Sequence, residues 1–146
     1  MTTIVETIEV ARSQADVFEY ATDPSRFSEW QAGVMGGHMD ADGPASVGTK
    51  CVTSRKIGRR QRQVTAEVTT MDPPRAWAVR GLDGPIRSEV DLTVDSLGDS
   101  QSRLTIAIAF EGHGIGKALV PLVVVREARK EMPVNLQRLR AILEGS

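Results

Sequence analysis

A single cysteine, Cys51, leaves this chain of 146 residues no internal disulfide and no cysteine-built zinc site. A reducing cytoplasm is the compartment it fits most simply. An excess of one charge is also missing. With 18 basic against 19 acidic side chains, the formal net charge is -1, so no global field draws the protein to nucleic acid or to an anionic membrane. Long hydrophobic runs are absent as well: the longest, ALVPLVVV at 118–125, is interrupted by Pro121 and falls short of the ~20 apolar residues that span a bilayer. It reads as part of a buried helix. The amino-terminal MTTIVETIEVARS alternates apolar with polar and charged residues and lacks the unbroken apolar core of a signal peptide. Neither a nucleic-acid partner nor stable membrane insertion is expected, and oligomeric state is not legible.

What is present is ordinary for one globular domain, expected over 1–146: 40% hydrophobic and 25% charged residues, with no internal repeat and no Ser/Gly linker. Residues 4–10 are rich in β-branched side chains and predict a strand. Ser13 then stands three residues before Asp16 at the head of SQADVFEYA, an N-cap with an acidic first turn, and Val17, Phe18 and Ala21 follow at helical spacing. In DPSRFSEWQAGV, at 23–34, Asp23 is a plausible N-cap and Pro24 a good first helical residue. Phe27 and Trp30 lie three apart, on one face of the short helix this predicts, so one of only two tryptophans is spent anchoring a connection. That element acts as a plug.

From residue 48 to 110 the period changes to two. Strand-like runs are separated by GRR, DPPR, LDGP and SLGDSQS, short connections that imply an antiparallel meander. Ile86, Val90, Leu92 and Val94 face one way and Arg87, Glu89, Asp91, Thr93 and Asp95 the other, giving one dry and one wet face. Residues 115–143 then carry Leu119, Leu122, Val125, Met132, Leu136, Leu139 and Leu143 at three- and four-residue steps. A helix of that extent is ~43 Å long, enough to cross a curved sheet. Pro121 and Pro133 each remove a backbone donor, which predicts bends or a segmented start.

This order resembles the helix-grip fold of the START-like superfamily, to which the birch-pollen allergens belong, and in particular its bacterial polyketide cyclase/dehydrase and lipid-transport members. DPSRFSEWQAGV, SVGTK and KEMPVNLQRLRAILE carry the resemblance, which covers the full chain. It implies an α+β fold: a curved seven-stranded antiparallel sheet wrapped around a long C-terminal helix, with two short helices after the first strand. It also implies a cavity between sheet and helix holding a lipid or polyketide-like molecule, with no cofactor and no metal. Three functions follow: a carrier or sequestering protein, a polyketide cyclase/dehydratase acting in the same cavity, or a regulatory protein-interaction module.

The candidate ligand-binding residues come from parity and period. On the strands they are Cys51, Thr53, Trp77, Val79, Ser88 and Val90, then Ile106, Ile108 and Phe110. On the helices they are Trp30, Leu122, Met132 and Leu136. Small or polar inward residues leave room, and Trp77 offers a flat apolar wall with one indole donor. The helix holding Trp30 and the 132–136 part of the long helix are expected as opposite lips of the entrance. Acid/base machinery is thin. His38 and Cys51 are the pair to test as a catalytic centre, because a turn around DGPAS brings their strands together. His113, in EGHGIG, precedes the long helix and reads as a cap-region side chain or an anion contact. Asp40 and Asp42 belong to a solvated turn, two lone histidines do not make a metal site, and the basic run RKIGRRQR at 55–62 reads as a solvated hairpin tip.

Overall fold

The computed structural model describes residues 3–57 and 59–145. Seven strands form one antiparallel sheet: β1 (Thr3–Val10), β2 (Val34–Asp40), β3 (Lys50–Ile57), β4 (Arg60–Asp72), β5 (Ala76–Gly81), β6 (Ile86–Gly98) and β7 (Gln101–Gly112), in spatial order β1-β7-β6-β5-β4-β3-β2. Six strands thus run as a meander. The first crosses to the far edge and pairs with the last, Ile4 opposite Ile108 and Ile8 opposite Leu104.

Two short helices make that crossing. In α1 (Gln14–Ala21), Ser13 Oγ accepts the Asp16 N–H at 3.2 Å, the expected cap, and Val17, Phe18, Tyr20 and Ala21 are buried. Asp23 Oδ1 accepts the Ser25 N–H at 3.0 Å and so caps a 3₁₀ turn, Pro24–Arg26, that leads directly into α2 (Phe27–Trp30). The segment is therefore two stacked turns rather than one helix. Strand β2 passes close beneath it at Gly37, where a Cβ would sit 2.9 Å from the Pro24 carbonyl oxygen. Only glycine fits that approach.

The long helical segment begins with α3 (Gly116–Leu119), passes through a π-helical turn, Val120–Val124, and continues as α4 (Val125–Glu144). Pro121 explains the π turn. Its ring lacks an N–H and would clash with the carbonyl four residues back, and widening the turn relieves both. Pro133 is carried inside α4 without interrupting it. The end of α4 is tied to the β1–α1 junction: Arg12 Nη1 donates to the Leu143 carbonyl at 2.7 Å while Nη2 bonds Asp16 at 2.8 Å, and Glu144 accepts the Ala11 N–H at 2.9 Å. A cation at the helix carboxy terminus also suits the helix dipole.

The closely packed core sits beneath that tether, where Val10, Val17, Val94, Leu104 and Leu139 are fully shielded. One expectation fails here. Leu119 and Leu122 are 36% and 70% exposed, so the apolar stripe holds only from Met132 onward. The π turn shifts the helical phase, and a period of 3.6 carried backward into it selects the wrong side chains.

This difference is measurable by urea unfolding. Leu139→Ala should cost about 3 kcal/mol, in the range for buried leucines. Leu122→Ala should stay within about 0.5 kcal/mol, as exposed positions do. Comparable losses at both sites would contradict the described helix phase.

Candidate functional site

The inner face of the sheet changes character along its length. Val94 opposite Leu104 and Leu92 opposite Ile106 are buried pairs, but the next pairs on the same face, Val90 opposite Ile108 and Ser88 opposite Phe110, are only half-buried. All face inward by parity. The difference arises because α1 packs on β6 and β7 at the first pairs, whereas the later pairs line a cavity of about 500 Å³. Inward residues of β3 (Cys51, Thr53) and β5 (Trp77, Val79) complete the sheet wall.

Across the cavity stand Val123 and Val124 of the π turn and Glu127, Ala128, Glu131, Met132, Asn135 and Leu136 of α4. Leu122 does not line it, for the reason of phase given above; Val123 and Val124 take its place. Trp30 and Phe27 of α2 close one side. Phe27 sits edge-on to Trp30 at 6.0 Å and to Trp77 at 6.3 Å, so three aromatics form one contact group. Trp30 and Trp77 are each 3% exposed, and neither Nε1 has an acceptor among the described residues. The Ala32 N–H donates to Asn135 Oδ1 at 3.2 Å, joining the connection after α2 to α4 at the rim. The two expected lips are therefore neighbours.

His38 and Cys51 do not form a pair. His38 is opposite Val52 and Met39 is opposite Cys51, so the register differs by one residue from the expected one. One residue in a strand is one face. Cys51 points into the cavity wall while His38 is exposed on the other side. Burial pushes the Cys51 thiol up to about 11, against a smaller opposing pull from Arg55. A neutral buried thiol without a base is not a nucleophile.

Arg55 is the second correction. It shares the inward parity of Cys51 and Thr53, and it lines the cavity instead of extending the hairpin tip. Lys56, Arg59, Arg60 and Arg62 are exposed, as expected for that tip, while Gly58 lies outside the described residues. Arg55 Nε donates to Thr53 Oγ1 at 3.2 Å, and among the described residues no carboxylate forms an ion pair with the guanidinium. Burial lowers its pKa, with Cys51 and then Glu131 opposing. Glu131, facing it from α4, is pushed up by burial and next by Glu127, while Arg55 pulls it down. Arg55, which charge alone had assigned to solvent, is a cavity residue, as are Glu127 and Glu131, which the sequence reading did not single out. The i, i+4 spacing of the two glutamates is the signal that places them together.

His113 lies elsewhere, lining a smaller polar cleft of about 180 Å³ with Arg80, Arg87 and Glu111. Its Nε2 is 3.1 Å from a Glu111 carboxylate oxygen. Asp40 and Asp42 are exposed, as a solvated turn requires. Among the described residues no group of three or more His, Cys, Asp or Glu could hold a metal ion, and no helix is long and apolar enough to cross a membrane.

Residues 1–144 match the sequence profile of a family described as polyketide cyclase / dehydrase and lipid transport. Among curated proteins none matches. Solved structures with the same fold include the ZhuI aromatase/cyclase of a Streptomyces species, at 13% identity and a TM-score of 0.79, covering 98% of this chain and 93% of that one. A START superfamily protein from Mycobacterium smegmatis aligns at 18% identity and a TM-score of 0.77, covering 98% and 97%. The di-domain ARO/CYC BexL is matched at 10% identity and a TM-score of 0.74 over 96% of this chain, which spans only 45% of that longer protein. At these identities the likeness is one of fold.

The thiol offers a check on the cavity wall. At pH 8 a free cysteine is about one-quarter thiolate, whereas a group titrating near 11 is about a thousandth. Iodoacetamide should therefore modify Cys51 about 250-fold more slowly in the native protein than in urea at the same pH. Equal rates would show an exposed or activated thiol.

Proposed function

The chain belongs to the polyketide cyclase/dehydrase and lipid transport family, and we propose that it binds a hydrophobic or aromatic small molecule, lipid or polyketide-like, between sheet and carboxy-terminal helix, as a cytoplasmic carrier or sequestering protein. The observation that carries this reading is the cavity of about 500 Å³ at the point where inward strand residues lose their covering helix. Volumes of a few hundred Å³ with mainly apolar walls and a few polar groups are the usual form of small-molecule sites. The aromatic group of Phe27, Trp30 and Trp77 supplies flat surface for stacking or edge contact.

A second reading, conversion of the ligand in the same cavity by a cyclase or dehydratase, is favoured by one arrangement. Arg55 and Glu131 both line the space, a fixed donor and a carboxyl whose pKa burial has raised. A donor can stabilise an enolate oxygen and a carboxyl of that kind can move a proton. If turnover of a polyketide-like substrate is observed, Glu131→Gln should lower kcat more than tenfold with affinity little changed. Unchanged kcat would exclude Glu131 from the chemistry, and absence of any turnover would leave the carrier reading alone.

Binding itself is tested with the neutral probe N-phenyl-1-naphthylamine. Its emission should rise saturably with one site per chain while indole emission falls. Ala128→Phe, which places a ring in the cavity from α4, should weaken this more than tenfold while cooperative unfolding is retained. Equal affinity in the filled variant would locate the probe on the surface and contradict the proposal.

A further inference from the structure

The cavity wall carries a cationic hydrogen-bond donor, the Arg55 guanidinium. Arg55 presents five guanidinium N–H groups, of which the Nε–H alone has a protein acceptor identified, Thr53 Oγ1 at 3.2 Å. Trp30 Nε1 and Trp77 Nε1 are buried donors with no acceptor among the described residues. Those two indole nitrogens are closed off from the open space, so the donors free to meet an occupant are the Arg55 Nη groups, for which no protein acceptor is identified among the described residues.

Charge narrows the class. Arg55 is a cation in a wall whose inward neighbours on β3 are Cys51 and Thr53, and among the described residues it has no ion pair. Burying a charge without a partner costs stability, and an apolar side chain at this inward position would remove the cost. Lys56 adds a second positive charge on the same rim. Glu127 and Glu131 face them from α4; both side chains are largely exposed, and partial burial of the Glu131 carboxyl disfavours its charged form. Arg55 is half-buried, so of these charges it is the one most shielded from bulk water.

We propose that the cavity selects amphipathic molecules with an anionic oxygen head of carboxylate type, held by Arg55, and an apolar body lying against the aromatic group. Guanidinium and carboxylate match as a two-point donor–acceptor pair, which fixes the orientation as well as the affinity. This rests on the reading of the cavity as a small-molecule site, and adds the chemistry of one end of the ligand.

The test uses three apolar bodies, each as carboxylate and as primary amide: 2-naphthoate, biphenyl-4-carboxylate and decanoate against 2-naphthamide, biphenyl-4-carboxamide and decanamide. Affinities are measured by calorimetry at pH 7.5 with wild type, Arg55→Met and Arg55→Lys. For the best-fitting body, the wild type should bind carboxylate at least tenfold more tightly than amide. Arg55→Met should bring the two within about threefold by weakening the carboxylate only, and Arg55→Lys should keep part of the preference. Arg55→Met should melt cooperatively at an unchanged or higher temperature, because a buried charge has been removed. Amide binding as tight as carboxylate in the wild type, or a preference that survives Arg55→Met, overturns this inference and leaves the binding reading standing. Failure of all six compounds to bind overturns both.

Discussion

One helix is too narrow for the sheet it must cover. Seven strands at ~4.8 Å spacing span roughly 29 Å, whereas a helix with its side chains is about 10–12 Å across. Curling the sheet reduces the mismatch without removing it. The chain resolves it unevenly. Around Leu136, Leu139 and Leu143 the helix is drawn onto β1 and secured by Arg12, and the interior there is dry and closely packed. At the other end the helix starts with a π turn and meets β7 through glycines: a Cβ on Gly112 would lie 2.2 Å from the Gly116 carbonyl oxygen. Between these two attachments α2 adds Phe27 and Trp30, and the remainder of the concave surface lines open space. The cavity is thus a consequence of layer geometry, and its walls are whatever the inward positions happen to carry.

The inward positions are therefore where function is encoded, since the fold is shared by proteins of low mutual identity. Most of those positions here are aliphatic or aromatic. Arg55 and the facing Glu127 and Glu131 are charged exceptions, and they sit with Lys56 where the wall approaches the rim. On the proposed reading, an apolar chamber with a charged rim would orient an asymmetric ligand.

The strands, the plug and the long helix were legible in the sequence because each rests on local rules: alternation on β6, the Ser13 cap and the Asp23–Pro24 start. Inward residues on β5, β6 and β7 followed from parity alone. Where the reading failed, a longer-range term decided. The His38–Cys51 pairing depended on a register set across the loop at 41–49, and an error of one residue moved the pair to opposite faces. Leu122 depended on helical phase through a proline, which the π turn changed. Arg55 was assigned to solvent by residue type although its parity with Cys51 and Thr53 pointed inward. For Glu127 and Glu131, spacing places both on one face of α4, but which face meets the cavity is fixed by how the whole helix docks.

The claim on which this account stands is that a small molecule lies between the inward face of the sheet and α4. Intermolecular nuclear Overhauser effects between biphenyl-4-carboxylate and selectively labelled methyl groups test it directly. Val79, Val90, Ile106 and Leu136, from three strands and the helix, should all show contacts to the ligand's ring protons, while the exposed Val5, Val47 and Leu122 should show none. Contacts confined to Leu122, Val134 and other exposed methyls, with the inward methyls silent, would place the ligand on the outer surface of the helix and contradict the account.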